Sequence, residues 1–227
     1  MIPWQLLDTA EIPGGGGKLR LMKRGGEFSI RLGDNEWMTS RVSGSETALA
    51  GLACARIEDR PRPQILIGGL GMGFTLRAAL AALGPGAGIV VAELVPAVVA
   101  WAKGPMAEIF GTSLSDRRVA IREDDVGNLI KAGHATYDAI LLDVDNGPEG
   151  LTREANDNLY DRDGLQAARS ALVPGGVLAV WSSAPDRRFS DHLRRVGFAV
   201  EETGARAHRA GRGARHVIWL ATRPLDP

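Results

Sequence analysis

The sequence is poor in cysteine, and it lacks long apolar runs. Cys54 is the only cysteine, so no disulfide can form within the chain, and a fold that depends on internal disulfides is excluded. This composition is typical of a reducing compartment, and we expect a cytoplasmic protein. No window reaches 18 uninterrupted apolar residues, and residues 1–4 carry no basic segment of the kind that opens a signal peptide. We therefore expect neither a membrane span nor a secretory leader.

Net charge is also lacking, because 27 lysines and arginines balance 27 aspartates and glutamates. A neutral chain is not attracted as a whole to nucleic acid or to an anionic membrane, and we expect neither partner. Arginines cluster at residues 187–188, 194–195 and 206–215, which is more typical of a solvated helix face and a basic loop than of a polyanion site. The histidines have no metal-ligand spacing, so we expect no metal: His134, His192, His208 and His216.

What the chain does have is a glycine-rich turn between an apolar run and a helical segment. Residues 64–67 read as a strand buried on both faces, four glycines follow within residues 68–73, and residues 74–83 read as a helix. Glycine allows positive φ and close approach of the backbone to a ligand. About twenty residues later, Glu93 ends the next apolar strand, where an acidic side chain can accept hydrogen bonds from ribose hydroxyls. The turn alone could be a plain tight connection, and the pair does not separate a dinucleotide from S-adenosylmethionine.

The N-terminal segment has a different pattern from the rest. Residues 18–23, 27–32 and 36–39 alternate polar and apolar side chains between glycine-containing turns, which predicts a small antiparallel meander. Such a sheet is marginal alone, so we expect it to pack on the main domain or on a second copy. Ser43 and Glu46 have the spacing of a capping box at the start of the next helix.

From there, strands and helices alternate to the end of the chain. Residues 198–202 and 216–221 should form a hairpin, since their short, glycine-rich connection leaves no room for a crossover helix. The fold class is thus α/β, a doubly wound, seven-stranded, mostly parallel sheet. Its strands are predicted at 64–67, 89–92, 118–122, 137–142, 177–181, 198–202 and 216–221, and its helices at 74–83, 96–103, 126–131, 162–172 and 186–196.

Polar residues fall where four successive strands of this sheet end. They are the glycine turn, Glu93, the Asp124–Asp125 pair and Asp143. Each has a simpler explanation by itself, since acidic residues often end strands, and Asp124 or Asp125 could cap the helix at 126. Ligands of open α/β sheets bind at the carboxyl ends of the strands, so the succession indicates a binding site.

These residues resemble the class I S-adenosylmethionine-dependent methyltransferase fold, which is Rossmann-like, and in particular spermidine synthase and its relatives. The resemblance covers almost the whole chain, from the meander through 68–77, Glu93, 118–125 and 137–143 to 172–176. It implies a meander at 1–44 and a cofactor-binding domain at 45–227.

The resemblance also implies roles for individual residues. The glycine turn would pass under the sugar and the amino-acid tail of the cofactor, Glu93 with Leu94 would hold the ribose, and Asp125 with Asp124 would meet the adenine amino group. Asp143 would be the catalytic base that deprotonates an attacking amine. The implied cofactor contacts are Gly68, Gly69, Gly71, Met72, Gly73, Glu93, Leu94, Asp124, Asp125 and Asp143.

Departures from the spermidine synthase pattern lie at the acceptor end. Met72 and Asn146 stand where the pattern has aspartates, and the tyrosine–histidine pair expected near residues 43–46 is absent. Trp181 ends a strand beside Asp143 and belongs either to the acceptor pocket or to the core. The departures favour a methyltransferase that uses S-adenosylmethionine on a small molecule. The alternatives are a spermidine synthase that uses the decarboxylated cofactor, and a cofactor-binding protein without turnover. The exposed meander edge favours a homodimer.

Overall fold

An antiparallel sheet of four strands begins the computed structural model, which describes residues 2–144, 158–207 and 213–225. The strands are β1 (Gln5–Glu11), β2 (Lys18–Arg24), β3 (Glu27–Leu32) and β4 (Asn35–Thr39), and each pairs with the next. Leu19, Leu21, Phe28 and Ile30 are buried in one core cluster with the first strand of the main sheet. The meander therefore packs on the main domain, one of the two arrangements expected for it.

The prediction of three meander strands was wrong, since it missed β1. The segment has no strict alternation, and its exposed residues outnumber its half-buried ones. Its pairing with β2 shifts register between Leu6 and Asp8, and the indole N–H of Trp101 donates to the Asp8 carboxylate at 2.7 Å. Both contacts are tertiary and leave no periodic signal in the sequence.

The main domain contains the predicted seven-stranded sheet. Its strands are β5 (Gln64–Gly68), β6 (Gly88–Ala92), β7 (Val119–Arg122), β8 (Tyr137–Leu142), β9 (Leu172–Ser182), β10 (Ala199–Arg206) and β11 (Arg215–Thr222). The helices are α1 (Gly44–Ala55), α2 (Phe74–Ala82), α3 (Pro96–Lys103), α4 (Ala107–Phe110), α5 (Val126–Ala132), α6 (Arg162–Ala171) and α7 (Arg187–Val196), with a short 3₁₀ turn at Ser113–Ser115. The spatial order is β10-β11-β9-β8-β5-β6-β7.

The strand directions confirm the predicted topology. β5 to β9 are parallel to one another, and β10 and β11 form the antiparallel hairpin, with Ala199 opposite Thr222 and Arg206 opposite Arg215. Both faces of the sheet are covered by helices, which explains the continuous apolar runs of its central strands. Trp219 is fully buried, and its indole N–H donates to Ser190 at 2.8 Å.

Two local predictions were wrong. The Ser43 side chain makes no capping hydrogen bond to α1, and the Glu46 carboxylate accepts instead from the Ser45 hydroxyl at 2.8 Å. The strand predicted at 177–181 begins earlier, at Leu172, which pairs with Tyr137 before the register shifts, so residues 172–176 are an irregular part of β9. Gly175 has a φ of +75° within it, so the glycine allows the strand to bend rather than end.

The longest helix among the described residues, α1, has 12 residues, too few to cross a membrane, which takes about 20. Within the described ranges, no three or more His, Cys, Asp and Glu side chains form a group that could hold a metal ion.

Candidate functional site

The glycine loop brings the end of β5 against the end of β8. Gly69, Gly71 and Gly73 have φ values of +91°, +49° and +73°, a region that side chains rarely adopt. A Cβ at Gly69 would lie 2.6 Å from the backbone oxygen of Asp143, and one at Gly71 would lie 2.9 Å from Sδ of Met38. These glycines are therefore required by the close approach of three chain segments.

Gly68 and Gly73 serve packing at this place. A Cβ at Gly68 would lie 3.1 Å from Val126, and one at Gly73 would collide with the ring of Phe110. Gly73 is also the N-cap residue of α2. Neither glycine is among the described residues that line the two cavities below, so both allow the loop to pack against its neighbours rather than lining the cavities themselves.

Glu93 is 7% exposed and lies at the end of β6, as predicted. Its carboxylate accepts from the backbone N–H groups of Leu70 at 3.0 Å and Val95 at 2.8 Å. Burial raises the pKa of Glu93, and the backbone N–H groups oppose that rise in part. The backbone N–H groups of Gly71 and Leu94 also act on this carboxylate, so Glu93 braces the glycine loop at the place where it lines the first cavity.

Asp124 and Asp125 follow β7 and differ in their contacts. The Asp125 side chain caps α5, accepting from the N–H of Gly127 at 2.8 Å. The exposed Asp124 accepts from the N–H of Asp125 and from the side-chain amide of Asn128 at 2.7 and 2.8 Å. The capping role that the sequence left open thus belongs to Asp125, whose second oxygen forms no described hydrogen bond.

Asp143 follows β8 and is held by a residue of α2. The hydroxyl of Thr75, 3% exposed, donates to Oδ2 of Asp143 at 2.6 Å. Burial and the nearby charge of Glu46 raise the pKa of Asp143 to about 7, against the hydrogen bond from Thr75, which lowers it. A carboxyl group with such a pKa can exchange a proton near neutral pH.

Two adjoining cavities meet at Asp143. The first brings together Gly69, Glu93, Leu94, Asp124, Asp125 and Asp143. The second is lined by Gly71, Met72, Asp143 and Trp181 from the predicted set. Trp37 and Met38 of β4 line both cavities, so the meander forms part of the wall of the site. Asn146 lies outside the described residues.

By sequence, no protein-family model and no curated protein matches the chain. Its structure is similar to spermidine synthase from Thermotoga maritima, with a TM-score of 0.74 and 16% identity over 98% of this chain and 73% of that one. A spermidine synthase in complex with the transition state analogue AdoDATO gives a TM-score of 0.73 at 18% identity, with the same shares covered. Human methyltransferase-like protein 13 in complex with SAH gives 0.60 at 23% identity over 80% of this chain and 82% of that one.

The chain has a spermidine synthase-like class I methyltransferase fold. Both parts of that fold are present: the seven-stranded sheet with its antiparallel hairpin, and the N-terminal antiparallel sheet.

The sequence pattern missed four residues of this site. Thr75, Trp37, Met38 and Glu46 all contact Asp143 or line a cavity with it. Thr75 is the second residue after the glycine loop, and this position is a signal that could have been used. Glu46 was assigned to a capping box, and the two meander residues were assigned only to a strand.

Proposed function

We propose that this protein is an S-adenosylmethionine-dependent transferase that transfers a methyl group to a small molecule. The observation that carries the proposal is the first cavity. It places a glycine backbone and the carboxylates of Glu93, Asp125 and Asp143 at the carboxyl ends of four adjacent parallel strands. Such a position is where open α/β sheets bind their ligands.

The donor set of this cavity fits the proposed cofactor. Ribose hydroxyls and the adenine amino group are hydrogen-bond donors, and Glu93 and Asp125 offer carboxylate acceptors to them. Gly69 contributes only backbone atoms to the lining of this cavity. Glu93 would therefore hold the ribose and Asp125 the adenine, with Leu94 beside them.

When bound, S-adenosylmethionine supplies an electrophilic carbon on a sulfonium. Asp143 would orient the acceptor and take up the proton that the acceptor releases, as a general base. Its pKa of about 7 suits this role near neutral pH, and the hydrogen bond from Thr75 holds the carboxylate in one orientation. Trp37, Met38 and Leu70 supply apolar surface in the second cavity, which Asp143 also lines.

The preference for methyl transfer depends on Met72. This side chain is 4% exposed and lines the second cavity, where it offers no charge to the ammonium tail of a decarboxylated cofactor. A buried ammonium without a partner is costly. S-adenosylmethionine carries its own carboxylate beside that ammonium, so a neutral loop suits it better.

Aminopropyl transfer is the second candidate, favoured by the spermidine synthases among the structural neighbours. Binding without turnover is the third candidate. It predicts that neither wild type nor Asp143→Asn forms product, whereas a transferase should form product in wild type and lose that activity in Asp143→Asn.

Calorimetry with S-adenosylmethionine, its decarboxylated form and S-adenosylhomocysteine tests the proposal. We expect S-adenosylmethionine to bind more tightly than the decarboxylated form. Product analysis by mass spectrometry with both cofactors and a polyamine panel should then give little or no spermidine from putrescine. Spermidine formation on the order of 1 per second would reverse the order of the two transferase candidates, and no binding of any of the three would overturn the proposal.

A further inference from the structure

The second cavity has two acidic side chains and an aromatic wall. Asp143 lies where it meets the first cavity, and Glu46 reaches it from the first turn of α1. Trp37, Phe74 and Trp181 supply the aromatic surface. No lysine or arginine is among the described lining residues, so the cavity presents negative charge against apolar walls.

Helix capping does not explain the presence of a carboxylate at position 46. The Glu46 carboxylate accepts from Ser45 and from its own N–H, and no described lysine or arginine forms an ion pair with it. Burial raises the pKa of Glu46, opposed by those two hydrogen bonds. The position therefore holds a carboxylate in a partly apolar place without a cation to balance it.

Glu46 and Asp143 are also near enough to act on one another. The charge of Glu46 contributes to the raised pKa of Asp143, and the two side chains line one cavity. Two carboxylates at one site repel each other, and a cation placed with them removes that repulsion. A single cation can thus be stabilised by both groups.

The aromatic wall agrees with the same ligand. The indole N–H of Trp181 is buried and has no hydrogen-bond partner among the residues that the structure describes, while its ring meets the ring of His216 edge to face, with the ring centroids 4.7 Å apart. Tryptophan faces attract cations, and an aromatic or alkyl body would cover the apolar lining. Beyond Glu46 and Asp143, the described lining residues include no third carboxylate that could balance a second positive charge.

We propose that Glu46 determines acceptor specificity, and that the acceptor is a monoamine that carries its ammonium group on an aromatic or alkyl body. The inference rests on the proposed function, since the cavity opens beside the proposed cofactor site. Glu46 would hold the ammonium form as it enters, and Asp143 would take the proton that the amine must lose before it can act as a nucleophile. A diamine would bring a second ammonium, and the described lining has no further carboxylate to balance it once Glu46 and Asp143 are used.

The test compares an amine with its neutral analogue. Phenethylamine, 2-phenylethanol and 1,4-diaminobutane are titrated by calorimetry into wild type, Glu46→Gln and Glu58→Gln, with and without saturating S-adenosylhomocysteine. Glu58 is exposed and outside both cavities, so its variant removes the same charge elsewhere. Thermal melts check that each variant is folded.

We expect wild type to bind phenethylamine at least about tenfold more tightly than 2-phenylethanol or 1,4-diaminobutane. Glu46→Gln should lose most of the preference for the amine over the alcohol, and Glu58→Gln should keep it. Equal binding of amine and alcohol, an unchanged preference in Glu46→Gln, tighter binding of the diamine, or no binding of any probe would overturn the inference. Failure of S-adenosylhomocysteine to bind would instead contradict the proposed function, and the titrations without it still test Glu46.

Discussion

Thr75→Val and Glu46→Gln should move the pKa of Asp143 in opposite directions. Burial contributes most to the rise of this pKa from its usual 3.8 to about 7, the charge of Glu46 adds to it, and the hydrogen bond from Thr75 opposes it. Thr75→Val removes the donor at nearly constant shape, so the ionised form loses a partner and the pKa rises. Glu46→Gln removes a negative charge, so the ionised form is favoured and the pKa falls.

The size of the first shift follows from the hydrogen bond. A bond to a charged group contributes about 1.5–3 kcal/mol, and one pKa unit corresponds to about 1.4 kcal/mol. Thr75→Val should therefore raise the pKa of Asp143 by about one to two units. In Glu46→Gln the pKa should fall below 7 but stay above 3.8, because burial remains.

Carboxyl ¹³C NMR measures this pKa directly, without a known substrate, and Asp143→Asn identifies the signal. Stability gives a second readout. Because the pKa of Asp143 is raised in the folded protein, its carboxyl group holds a proton between about pH 4 and 7, where the same group in the unfolded chain has lost it. Asp143 therefore makes the free energy of unfolding decrease as pH rises through that window. Asp143→Asn should flatten that dependence.

An Asp143 signal that titrates near 3.8, or shifts of the same sign in both variants, would refute the assignment of Thr75 and Glu46 as the groups that tune Asp143. It would also remove the support that the pKa lends to Asp143 as a base.

Three further predictions concern the first cavity. Glu93→Gln should weaken S-adenosylhomocysteine binding by about 1–3 kcal/mol in calorimetry, since an amide donor replaces an acceptor; unchanged affinity would contradict the ribose assignment. Gly69→Ala should destabilise the fold by about 2 kcal/mol or more in denaturant unfolding, because φ is +91° and the Cβ would lie 2.6 Å from the Asp143 backbone oxygen; an unaltered midpoint would be evidence against the loop geometry. Asp125→Asn should keep the helix cap yet weaken cofactor binding more than Asp124→Asn does, and the reverse order would move the adenine contact to Asp124.

Local patterns were sufficient for most of the elements. The predicted helix at 96–103 and the predicted strand at 137–142 match α3 and β8 at both ends. Proline is favoured in the first turn of a helix, which marks the start of α3 at Pro96. The apolar run of β8 stops at the polar residue Asp143, which marks the end of that strand. The hairpin of β10 and β11 followed from a connection too short for a crossover. Homodimer formation and the domain boundary near residue 44 stay predictions.

The sequence by itself determined the order of strands and helices, the positive-φ positions of the glycine loop and the acidic residues at the strand ends, because these depend on neighbours along the chain. Only the tertiary structure decided what those residues meet. Thr75 reaches Asp143 across 68 residues, and Trp101 holds the missed strand β1 through Asp8 across 93. Such contacts arise when packing brings distant segments together, and periodicity carries no record of them. For the same reason Glu46, which looks like a capping residue in the sequence, lines the second cavity with Asp143 in the folded protein.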